Sequence, residues 1–207
     1  MKRADRIILG SLLIICFFDL IIAYQVIGLN HRYLHAENGF LENIQVALLI
    51  LSCFVFLSHL FFSGKYHQIF SMGGAFLCFV FCLRELDIEK LDLPTIFILA
   101  GSGMGRNLSM AILGGTLLIY FIVHFQKIKG SLPAFLFEKS SLTILTGLLL
   151  LVLGIGFDKK SFIVDYSQFY EEILEVTGYF FILIGAVLSC PVLQKINDSD
   201  LNVTEFN

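Results

Sequence analysis

Six stretches of the chain, near 7–29, 40–62, 68–84, 107–125, 141–157 and 173–190, are apolar over 17 residues or more. A hydrocarbon core about 30 Å thick is crossed by roughly 20 residues of helix, so each stretch predicts one membrane crossing. The predicted fold is all-α, a polytopic integral membrane helical bundle of about six transmembrane helices. The segments between the stretches are too short for a second folded unit, so a single membrane domain over 1–207 is expected. Gly73, Gly74, Gly114, Gly115, Gly147 and Gly185 fall inside the spans, where small residues let two helix backbones approach closely.

The first stretch follows Met-Lys-Arg-Ala-Asp-Arg. It is too long for a signal-peptide core, and no small-x-small cleavage site follows, so it reads as the first span. The stretch 94–104, PTIFILAGSGM, is too short to cross and reads as an interfacial or re-entrant turn. Its glycines are not followed by Lys-Ser/Thr, which removes a phosphate-loop reading.

Orientation follows from Lys and Arg. With the N-terminus inside, the inner segments hold Lys2, Arg3, Arg6, Lys65, Lys127, Lys129, Lys139 and Lys195, against Arg32, Arg84, Lys90, Arg106, Lys159 and Lys160 outside. The bias selects N-in and C-in, and the expected location is a bacterial inner membrane. The acidic residues are more lopsided: Glu37, Glu42, Glu85, Asp87, Glu89, Asp92, Asp158, Asp165, Glu171, Glu172 and Glu175 all fall on the outer side. Acidic residues contribute little to topology, so another cause is needed.

Composition agrees with the pattern. Of 207 residues 57% are hydrophobic and 15% charged, and the mean hydropathy is +0.84, too apolar for a surface kept in water. The net charge of -3 and the lack of a long basic run exclude nucleic acid as a partner. The five cysteines, Cys16, Cys53, Cys78, Cys82 and Cys190, lie in or at the ends of apolar runs and read as small hydrophobes rather than a disulfide framework.

Chemistry concentrates at the outer helix ends. Glu42 and Gln45, Arg84 and Glu85, Arg106 and Asn107, and Glu171, Glu172 and Glu175 come from four spans and lie about one turn below the outer surface. Helical spacing puts Glu171 and Glu175, and likewise Glu42 and Gln45, on shared faces. Charges at membrane depth turn inward and pair. Arg84 and Arg106 are therefore expected to pair with some of Glu42, Glu171 and Glu175 and to close an outward-facing polar pocket. Asp19 lies midway along the first span, where a carboxyl is expected to be neutral and hydrogen-bonded to a neighbouring helix, or to serve a proton or cation relay reached through Tyr24 and Gln25. His31, His35 and Glu37 are weak metal candidates, since the two histidines share a face only if their loop is helical.

The sequence carries no G-x-S-x-G, HExxH or Walker signature, which argues against an enzyme, and no cofactor is read from it. The function expected is binding of a polar ligand, cation or lipid headgroup in the acidic and arginine-containing pocket, with transport as one use. The alternatives are a non-catalytic structural subunit of a membrane complex and a lipid-modifying membrane enzyme that uses the glutamates as acid and base. The expected partners are the lipid bilayer and, beyond it, partner membrane helices or further copies of the chain.

Overall fold

A computed structural model describes residues 3–35, 39–62, 65–86, 94, 98, 102–130, 132–158 and 166–189. Among these the long elements are six helices: α1 (Arg3–Ala23), α2 (Phe40–Phe62), α3 (Lys65–Glu85), α4 (Gly103–Ile128), α6 (Lys139–Asp158) and α7 (Ser167–Leu188), with a short α5 (Leu132–Leu136) before α6. All six predicted spans fall on long helices, which begin up to six residues earlier than apolar composition indicates, as in Ser167 against 173.

Five of the helices are long and apolar enough to cross a membrane: Ala4–Gly28, Phe40–Phe61, Gln68–Glu85, Gly103–Gln126 and Lys139–Phe157. α7 is 22 residues long, about 33 Å at 1.5 Å per residue, but Glu171, Glu172 and Glu175 set it apart from the other five. Most of the stretch 94–104 lies outside the described residues.

The chain forms two compact units, one of 1–48 with 137–207 and one of 49–136. In the first, Ile15, Ile22 and Val26 from the α1 segment, Leu41 from α2, and Phe169 and Val176 from α7 make a buried apolar cluster. α6 and α7 approach at glycines. A Cβ built on Gly147 would lie 2.6 Å from the carbonyl oxygen of Gly178, and one on Gly178 would lie 2.9 Å from that of Gly147. Side chains cannot occupy that gap, so backbone packs on backbone, the contact that stabilises helix pairs where apolar burial gives no net drive. Asp5 on the first turn of α1 pairs with Lys139 at the start of α6, so those two helices begin at the same end.

α1 ends in a wide π-type turn over Tyr24–Gly28. Asn30 follows at φ 56°, a left-handed conformation that Asn tolerates and that ends helices. His31 N–H donates to the Gln25 carbonyl at 3.1 Å, and its ring meets the Gln25 side-chain oxygen at 2.8 Å.

In the second unit, α2 from Leu49 onward packs on α3. A Cβ on Gly74 would lie 2.7 Å from the Phe56 ring, and Cys53 Sγ lies 3.6 Å from the Ala75 carbonyl oxygen. Phe76 of α3 reaches Gly114 of α4. On α4, Leu118, Ile119, Ile122 and Val123 are 58%, 65%, 62% and 70% exposed. Four large apolar side chains on the outside of one helix fit hydrocarbon as the surrounding solvent.

Candidate functional site

Polar residues inside an apolar helical protein mark the places where chemistry is available, because each must find a partner or cost free energy. In the first unit they cluster on the first three turns of α7. Its buried face runs through Phe169, Glu172, Val176, Tyr179, Ile182 and Ala186, with Glu175, Gly178 and Gly185 beside it. Glu172 and Glu175 are only 7% and 4% exposed, so both carboxylates are held within the protein.

Of α2, Leu41 and Gln45 lie in the same unit and are buried, spaced at four as one side of a helix requires. Gln45 is fully buried. Its Nε2 donates to Glu172 Oε2 at 2.7 Å and lies 3.4 Å from the Glu172 carbonyl oxygen. The Oε1 of the same amide is buried with no hydrogen-bond partner among the described residues. Glu175, one turn further on, carries its Cγ toward α6, 3.5 Å from where a Gly154 Cβ would stand.

Deeper in the same unit, Thr177 Oγ1 donates to Asp19 Oδ2 at 3.1 Å. Thr177 stands ten residues into α7, about 15 Å from its start. This hydrogen bond joins the last turns of α1 to the middle of α7. Asp19 Oδ1 is buried with no hydrogen-bond partner among the described residues.

The eight predicted pocket residues divide between the two units: Glu42, Gln45, Glu171 and Glu175 in one, and Arg84, Glu85, Arg106 and Asn107 in the other. Arg84 forms an ion pair with its neighbour Glu85 at 2.7 Å, and Arg106 Nη1 donates to the Leu83 carbonyl at 3.3 Å. Of the weak metal candidates, Glu37 and the side chain of His35 lie outside the described residues. His31 is engaged with Gln25 and stacks on Tyr33 with ring centroids 5.5 Å apart. Among the described residues no three His, Cys, Asp or Glu side chains converge as a metal site, and Cys16, Cys53, Cys78 and Cys82 are free thiols.

The second unit holds an apolar cavity of about 470 Å³ between α2, α3 and α4, lined by Leu57, Met72, Phe76, Phe79, Leu113 and Tyr120 among others. Its walls offer almost no polar atom, so it suits hydrocarbon and carries no chemistry of its own.

Sequence reasoning named Glu172 in the outer polar layer but neither put it in the pocket nor paired it with Gln45, and gave Asp19 a helix neighbour without identifying Thr177. Glu172 was legible. It shares the three-four spacing of Phe169, Val176 and Tyr179, so reading the apolar face of α7 first would have put Glu172 on it.

Five helices fit to cross a membrane, a sixth carrying buried carboxylates, and exposed apolar faces define a polytopic helical membrane protein. The chain matches no family model, no characterised protein and no solved structure, so its site is read from its own geometry.

Proposed function

We propose that the protein is a small multi-pass protein of a bacterial inner membrane, with both termini cytoplasmic, that binds a polar ligand where α2 meets α7. The Lys and Arg bias supports the orientation, which puts the start of α7 and its glutamates on the outer side. The observation that carries the binding reading is the 2.7 Å contact from Gln45 to Glu172, made by two buried side chains in an otherwise apolar setting. A purely structural contact between helices is met more cheaply by apolar side chains, whereas a buried amide and carboxylate offer oriented acceptors to a solute or headgroup. Transport of that ligand is the use that fits a site below the membrane surface.

The test is mass spectrometry of the intact protein released from phospholipid nanodiscs. The proposal expects a stoichiometric bound solute, cation or lipid that persists in the control Ser58→Ala and is lost in Glu172→Gln. A bare chain in the parent, the control and the variant contradicts it. The rival reading is a structural subunit, and the observation favouring it is α4, whose most apolar stretch has no buried residue and so offers a full face to partner helices. Purification as a discrete complex with other chains would select that rival.

A further inference from the structure

We infer that the second unit holds one anionic phospholipid, with an acyl chain in the hollow between α2, α3 and α4 and the headgroup at the end where α3 starts and α4 finishes. This site is separate from the contact of Gln45 with Glu172 and does not rest on the binding reading given there.

The first observation is the hollow itself. It measures about 470 Å³ and is walled by Leu57, Met72, Phe76, Phe79, Leu113 and Tyr120 among others. That is about three times a cavity of about 150 Å³ that takes up benzene, so the matching load is hydrocarbon of roughly 18 carbons, the size of one acyl chain. A second hollow of about 230 Å³ adjoins it and shares Cys53, Leu57 and Phe79, which extends the apolar space along α2 and α3. Helices that dock on one another in lipid do so through small residues. Leucine, methionine and phenylalanine around a hollow suit a flexible chain better than a partner helix.

The second observation is charge, and it concerns the end of the unit toward which the hollow runs. Gln68 Nε2 donates to the Leu60 carbonyl at 3.0 Å, so the end of α2 lies beside the start of α3. Arg106 Nη1 donates to the Leu83 carbonyl and the Phe76 ring reaches Gly114, so α4 runs opposite to α3 and its end returns to the same place. Lys65 opens α3, Lys127 lies in the last turn of α4, and Lys129 directly follows that helix. The acidic residues of 49–136 are Glu85, Asp87, Glu89 and Asp92, and all come at or beyond the other end of α3 in the sequence. Three lysines without an acidic counterpart in their unit form a basic patch of the kind that holds anionic headgroups beside membrane helices.

The hollow and the patch are joined by α4. Tyr120, in the wall, stands seven residues before Lys127, about 10 Å along the axis. Between them His124 donates its Nδ1–H to the Tyr120 carbonyl at 2.9 Å, and the two ring centroids are 4.3 Å apart. Aromatic rings with polar tips belong at the boundary between hydrocarbon and headgroups. An amphiphile laid along α4 thus meets apolar wall, ring edge and positive charge in the order of its own parts.

The experiment is mass spectrometry of the intact protein released from nanodiscs of equal phosphatidylglycerol and phosphatidylcholine. The inference expects one phosphatidylglycerol retained per chain. Thr116→Trp fills the hollow and should abolish retention, while Ile119→Trp, on the exposed side of α4, should leave it unchanged. Replacing Lys65, Lys127 and Lys129 together by Gln should lower the preference for phosphatidylglycerol over phosphatidylcholine tenfold or more. Should Thr116→Trp fail to fold, phosphatidylglycerol with a photoreactive chain is expected to label the parent within 72–79 and 113–120. The inference is overturned by a parent without lipid, by equal retention of the two lipids, by retention that survives in a folded Thr116→Trp, or by labelling elsewhere. Retention in Glu172→Gln is expected, and a lipid lost in that variant would belong to the Glu172 site, supporting the binding reading and overturning this one.

Discussion

At the residue scale, two polar contacts inside the first unit make opposite demands on their environment. The Thr177–Asp19 hydrogen bond joins a hydroxyl to a carboxyl with no ion-pair partner among the described residues. An amide oxygen in place of the carboxyl can accept the same hydrogen bond, a contact worth about 0.5–1.5 kcal/mol net. Asp19→Asn is thus expected to express and unfold within about 1 kcal/mol of the parent, while Asp19→Lys places a permanent charge that costs about 2.5–3.5 kcal/mol at a helix centre. Comparing membrane-inserted yield and unfolding midpoint for the pair checks this, and equal damage from Asn and Lys would mean an ionised, paired Asp19. For Gln45 and Glu172 the informative experiment is a double-mutant cycle. Gln45→Leu alone strips the Glu172 carboxylate of a donor and should cost about 1–3 kcal/mol. Adding Glu172→Leu should recover part of that loss, with a coupling of about 0.5–3 kcal/mol. Strict additivity would show that the 2.7 Å contact contributes nothing.

At the scale of elements, the glycine contact between α6 and α7 accounts for why a glutamate-bearing helix is retained against an apolar one. Close backbone packing gives α7 a partner that lipid would not provide. Gly178→Ala pushes a methyl group to 2.9 Å from both the Gly147 carbonyl oxygen and the Leu151 side chain, and overpacking of this kind costs about 1–3 kcal/mol. Gly115→Ala on α4 meets nothing within 4 Å and should leave the unfolding midpoint in place. A Gly178→Ala protein as stable as Gly115→Ala would remove the close-packing account. The helices themselves were legible in the sequence, because hydropathy over a span is a sum of many like terms and one misread residue does not change it. Gly147 was legible only as a packing residue. Its partner Gly178 was not singled out, since pairing depends on which turns of two helices meet, and no local pattern encodes that. The site was legible in part for the same reason: Gln45 stands out as polar within an apolar stretch, but its partner is 127 positions away. The ion pair of Arg84 with adjacent Glu85 shows the opposite case. A search for partners across helices passed over the nearest carboxylate in the chain.

At the scale of the molecule, the proposed orientation requires helices that alternate in direction across a bilayer. Asp5 pairing with Lys139 puts the beginnings of α1 and α6 at one end. The orientation proposed from the Lys and Arg bias makes that end cytoplasmic and the start of α7 external. The most direct measurement is reporter topology in living cells, with a cytoplasm-active and an export-active reporter each fused after Lys65 and after Lys159. The account predicts cytoplasmic activity at Lys65 and exported activity at Lys159. The same side at both positions would contradict the alternating arrangement.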